Sequence, residues 1–141
     1  MKNKLLPLFV VLLFAACITG CSSGGRSGAT VKWSGNVTLN GQALPADCQG
    51  RIIVQTTSAK GQAGSAAGAI SNGYYSLSNV PQGTVIVRFS LLIPDGTPSK
   101  EDVQRGIFPK KNIAPREWQT GVQFEAVKSE KGKDFNLEDK K

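Results

Sequence analysis

The sequence predicts an all-β fold, a single antiparallel β-sandwich of about seven short strands. Three observations carry that prediction. Apolar and polar residues alternate over several short runs, which is the period of a half-buried strand. Turn residues divide the runs: 16 Gly and 7 Pro in 141 residues, with two Asn-Gly pairs among them. Only 19% of residues are charged, and no stretch shows heptads, a long helical period or an internal repeat.

The chain opens with Lys2 and Lys4, then an apolar run of 12 residues from Leu5 to Ala16 broken only by Pro7. A bilayer core of roughly 30 Å needs about 20 residues, so the run is too short to span one. It has the length of a signal-peptide apolar region, and residues 1–20 are assigned to such a signal. Ile18-Thr19-Gly20-Cys21 resembles the bacterial lipoprotein signal, an aliphatic residue and two small ones before a Cys. The resemblance implies that Cys21 becomes the lipidated first residue and holds the chain to a membrane. Phe14-Ala15-Ala16-Cys17 is a rival with a poorer first position, and an ordinary secretory signal is a third reading. Ser22-Ser23-Gly24-Gly25 suits a flexible tether, so residues 21–30 read as lipidated Cys plus tether. Ser22 stands where many inner-membrane lipoproteins carry Asp, which directs the expectation to the outer membrane or cell surface. Removing 20 residues leaves 121 with a formal charge of +5.

Residues 31–137 hold the domain. Val31, Trp33, Val37 and Leu39 share one parity, opposite Lys32, Ser34, Asn36 and Thr38. Asn40-Gly41 then predicts a tight hairpin, and Pro45 interrupts the return. Arg51 to Thr57 is the next strand, with Ile52, Val54 and Thr56 on one face. Ser58 to Gly68, rich in Gly, Ala and Ser, reads as a loop or weak edge strand. Asn72-Gly73 predicts a second hairpin from Ala69–Ser71 into Tyr74–Ser78, with Tyr75 and Leu77 inward and Tyr74 outward. After the turn at Pro81-Gln82-Gly83, Thr84 to Leu92 buries Val85, Val87, Phe89 and Leu91. Ile93 to Glu117 is irregular, with four prolines and one helical turn at Lys100–Arg105 capped by Ser99. Thr120 to Val127 turns Val122, Phe124 and Ala126 inward. Ser129–Lys133 is a polar turn, and Phe135 and Leu137 close the core. Residues 138–141 are a charged tail.

Ser34-Gly35-Asn36-Val37-Thr38-Leu39-Asn40-Gly41-Gln42-Ala43-Leu44-Pro45 resembles the opening of carboxypeptidase regulatory-like domains. Asn72 to Gly83 resembles that family's second hairpin and following turn. Phe108-Pro109-Lys110-Lys111-Asn112 and the closing Phe135-Asn136-Leu137 are similar to small lipoproteins of planctomycete-type bacteria, with Asn112 at the usual Tyr. The resemblance implies a transthyretin-like sandwich and no particular ligand.

The absence of His removes Ser-His-Asp and Cys-His pairs, imidazole acid–base chemistry and His-based zinc sites. Three Cys cannot build a four-thiolate site. No cofactor and no catalytic residue is expected. Related Cna B-type domains form Lys–Asn isopeptide bonds, but Lys32, Asn136 and Glu125 lie on the parity opposite the core. Asp95, Glu101 and Asp102 read as a solvated loop before a cation site. Cys48 is either a small apolar residue or half of an intermolecular disulfide. Two binding hypotheses remain. One is a structural or protein-interaction module for envelope proteins. The other is a carbohydrate module, with Trp118 and Tyr74 as stacking platforms; Trp118 reads first as a loop anchor packed on the core and second as a platform. Lys110 and Lys111, with Arg105 and Arg116 nearby, form the densest basic patch, either solvated or in contact with acidic polysaccharide or lipid headgroups. Nucleic acid is not an expected partner of an exported chain.

Overall fold

A computed structural model describes residues 28–57 and 64–138. The expected signal, Cys17 and Cys21 lie outside the described residues, as do 58–63 and 139–141.

The two Asn-Gly pairs turn the chain as their chemistry requires. Asn40 and Gly41 have φ of 52° and 74°, and Asn72 and Gly73 have 50° and 77°. Two successive positive φ values match the twist of the flanking strands. The first pair joins β1 (Thr30–Leu39) to β2 (Gln42–Ala43). The second joins β4 (Ser65–Ser71) to β5 (Tyr74–Pro81), with β3 (Gln49–Thr56) on the other side of β4. The longest strand is β6 (Gly83–Pro94), which alternates buried Val85, Val87, Phe89 and Leu91 with half-buried residues. Next come α1 (Lys100–Arg105), β7 (Lys110–Asn112), α2 (Arg116–Thr120), β8 (Val122–Ala126), β9 (Glu130–Lys131) and β10 (Phe135–Leu137).

The fold is all-β, as expected. The strands form one hydrogen-bonded sheet in the order β10-β1-β5-β4-β3-β6-β7, with β2 and β9 also on β1 and β8 also on β6. Among the described residues there are ten strands rather than about seven, because β2, β7, β9 and β10 are only two or three residues long. Two pairings depart from the antiparallel expectation. β9 and β10 run parallel to β1, so the C-terminal segment climbs alongside the first strand.

Gln82 alone separates β5 from β6, yet β4 and β3 lie between them in the sheet. Three strand spacings on a flat sheet would be about 14 Å. Two peptide steps reach about 7 Å. The sheet must therefore curl, and the curl brings its far ends together over a shared core. Phe135 on β10 lies at the centre. Its ring centroid is 6.5 Å from Trp33, 5.6 Å from Tyr75, 5.2 Å from Phe89, 6.1 Å from Trp118 and 5.4 Å from Phe124. Burial of these rings and the Val/Ile/Leu rows is the dominant stabilising effect, at about 1.5–3 kcal/mol per large apolar side chain.

Three local expectations are corrected. Ser65–Gly68 is a strand rather than a loop: it pairs with Ile52–Gln55 of β3, while β5 pairs with β4 only at Ile70 and Ser71. Lys110–Asn112 is a strand, not irregular chain. Arg116–Thr120 is helical. The single helical turn at Lys100–Arg105 forms as expected: Ser99 and Asp102 cap each other reciprocally, and Gly106 ends it with φ of 67°.

Candidate functional site

The strand registers give the molecule two poles. Thr30 pairs with Pro81, Thr56 with Val85 and Gly83 with Ala126 at one end. Ala29 is also held there, its carbonyl accepting from the Gln82 N–H at 2.9 Å. The segment preceding Thr30 therefore enters at this pole. At the opposite pole lie both Asn-Gly turns, the end of β6, α1 and β7. The 12 residues of β6 connect the two, a span of about 36 Å.

The far pole carries an open groove of about 760 Å³. Its walls are Asn36–Thr38 of β1, the 43–50 excursion that follows the first hairpin, and Ala69–Gly73 at the second. β1 bends away from β5 at this point: the Val37 N–H donates to the Gly73 carbonyl at 2.6 Å, and β1 then pairs with β2 and β10. That departure opens the groove. Carboxamides of Asn36, Gln49 and Asn72, hydroxyls of Thr38 and Ser71, and aliphatic Val37, Leu44, Pro45 and Ile70 line it, and no charged residue does. A neutral lining of this kind suits an uncharged polar chain segment.

Cys48 belongs to this groove and packs, half-buried, against the core. Burial first, and then the neighbouring Asp47 carboxylate, push its thiol above the ordinary value of 9.0. It is therefore protonated at neutral pH and a poor nucleophile.

The residues singled out in the sequence part company. Trp118 is only 9% exposed. It stacks on Phe124 at 6.1 Å and meets Phe89 edge-on at 5.5 Å. Its faces are thus taken up by the core, and the sugar-platform expectation is corrected: α2, entered through Pro115, turns the indole inward. Tyr74 is outward-facing and 50% exposed, directly after the Asn72-Gly73 wall of the groove. Lys110 and Lys111 are exposed on β7 at the same pole, and Lys110 Nζ donates to Gln49 Oε1 at 2.7 Å, tying the basic strand to the groove wall. Cys21 lies outside the described residues.

Lys32, Asn136 and Glu125 are exposed and separately engaged. The Lys32 N–H donates to Ser129 Oγ, Asn136 Oδ1 accepts from Thr38 Oγ1 and the Gly41 N–H, and Glu125 accepts from Thr84 Oγ1. Asp102 is occupied in the α1 cap. Among the described residues no three His, Cys, Asp or Glu side chains gather where a metal ion could sit, and no helix is long and apolar enough to cross a membrane.

Asn112 closes a gap in the sheet. β8 covers β6 as far as Val87 and β7 covers it from Leu92, which leaves residues 88–91 between them, Leu91 among them. Asn112 Oδ1 accepts from the Leu91 N–H at 3.0 Å and the Ala114 N–H at 3.1 Å. The groove itself was not anticipated, because its walls come from three separated segments without chemically distinctive residues. No family model, curated protein or solved structure matches this chain.

Proposed function

We propose that the chain is a non-catalytic, lipid-anchored cell-envelope module of the transthyretin-like, carboxypeptidase regulatory-like type, which engages an envelope partner at the pole opposite its anchor. The observation that carries this reading is the polarity of the molecule. The segment that follows Cys21 enters beside Pro81 and Gln82, and the uncharged groove lies at the other end of β6. A module tethered in this way presents its groove away from the attachment point. The transthyretin-like assignment is supported by both Asn-Gly hairpins standing where the family pattern puts them, and by a curled sheet over one core. The membrane is a partner through Cys21, and outer-membrane or surface placement follows from Ser22.

The carbohydrate alternative loses its principal platform with the burial of Trp118, and the groove contains no aromatic ring. Protein engagement is therefore the preferred reading.

Site-specific photocrosslinking in native envelopes tests it. A photoreactive residue at Ala46, in the groove, is expected to yield a discrete protein adduct. One at Lys128, at the tether pole, is expected not to yield that adduct. Identical adducts from both positions, or none from Ala46, would contradict engagement through the groove.

A further inference from the structure

The loop between β6 and β7 contributes nothing to the core. Helix α1 buries no residue, and every residue from Val103 to Lys111 is exposed. Three are large and apolar: Val103 and Ile107 at 52% exposure and Phe108 at 59%. Exposed apolar side chains clustered in one short segment mark an interaction surface. Arg105, Lys110 and Lys111 stand among them, and no acid occurs between Val103 and Lys111. The nearest acids precede that stretch: Asp95 at the loop base, Glu101, and Asp102 in the helix cap. None of these cations forms an ion pair among the described residues, where Lys133–Glu130 is the one salt bridge.

The loop is nevertheless held in shape. Ser99 and Asp102 cap α1 at one end, Gly106 at the other, and the Asp95 N–H donates to the Pro109 carbonyl at 2.9 Å across the base. Ile107-Phe108 is thus a preformed exposed tip with Arg105 before it and Lys110 and Lys111 after it; Lys110 also donates to Gln49 Oε1.

We propose that this tip is a membrane-docking element that inserts Val103, Ile107 and Phe108 into the headgroup–acyl boundary of an anionic phospholipid bilayer while Arg105, Lys110 and Lys111 contact its phosphates. An exposed apolar tip flanked by cations matches a fluid anionic surface, where apolar groups sink and cations meet headgroups. Chain lengths allow the lipid-anchored reading and this one together. The eight peptide steps from Cys21 to Ala29 reach at most about 28 Å, so a body about 36 Å long can lie along the bilayer with both poles touching it. The docking itself does not require lipidated Cys21, and the test below omits the acyl chains so that the two readings fail separately.

The test uses the chain from Ser22 to Lys141, which contains the whole described sheet and its core. Its sedimentation with vesicles of phosphatidylcholine alone and of phosphatidylcholine with phosphatidylglycerol is compared at low and high salt. Binding to the anionic vesicles that weakens with salt is expected. Ile107→Ser with Phe108→Ser should lower that binding at least about tenfold, without lowering the melting temperature because neither side chain touches the core. Arg105→Gln or Lys111→Gln should each lower it about fivefold. Val127→Ser, an exposed apolar residue at the other pole, should leave it unchanged. Absence of vesicle binding would overturn the proposal and leave the tip to a protein partner. Equal losses from Val127→Ser and the tip variants would equally overturn it.

Discussion

Gly35 shows why a single position is intolerant. A Cβ there would overlap the carbonyl of Lys133 and crowd the Asp134 carboxylate. The C-terminal segment crosses β1 at this residue: the Gly132 and Lys133 N–H groups donate to the Ser34 carbonyl, and the Asn36 N–H donates to Asp134 Oδ1 at 2.6 Å. Gly35→Ala should cost about 3 kcal/mol in urea unfolding, since the neighbours are backbone and cannot yield. A loss within experimental error would contradict the close crossing. Tyr75 fastens the same segment from β5, its hydroxyl donating to the Lys133 carbonyl at 2.7 Å. Burial foremost, then the Asp134 and Glu130 carboxylates and Tyr74, hold its phenol far above the ordinary 10.0. The folded state therefore favours the protonated phenol. Its stabilising contribution is complete below pH 10 and is lost as pH rises through the folded value. Tyr75→Phe should lose about 1 kcal/mol near neutral pH and lack this part of the alkaline decline. Parallel stability-versus-pH curves for the two proteins would contradict that coupling.

The elements divide according to how local their causes are. The two hairpins, the rows of β1, β3 and β6, and the α1 cap were readable in the sequence, because turn chemistry, alternation and capping act over a few residues. β4 was read only from Ala69 onward. Ser65-Ala66-Ala67-Gly68 has no large side chains to show a period, and its strand conformation comes from pairing with β3. Gly68 also allows the close approach of Leu77 and Ser76 from β5. The parallel pairing of β9 and β10 with β1 depends on contacts nearly 100 residues apart and leaves no local mark. Of the candidate site, Tyr74, Lys110 and Lys111 were found and do share a pole. Trp118 packs as the loop anchor, the first of its two readings; its polar, Pro-flanked surroundings had kept the sugar platform open beside it. Trp118→Ala should cost about 3–5 kcal/mol, whereas Tyr74→Ala should cost well under 1 kcal/mol, read from thermal or urea unfolding. A reversed order would contradict the packing of α2 on the core.

The whole molecule is a polar object in the geometric sense: tether entry at one end, groove and basic tip at the other. Its curled sheet spans the distance between the two ends, with β6 running the whole way. On the proposed reading, the role of this scaffold is to hold its groove at a distance from the attachment at Cys21. Attachment is the premise on which that role depends, and the intact mass of the chain extracted in detergent from native envelopes tests it most directly. The account predicts a mature chain beginning at Cys21 with the added mass of acyl groups, and a Cys21→Ala chain that retains residues 1–20 and gains none. A mature chain that is free of acyl mass, or that begins at Cys17 or elsewhere, would contradict it.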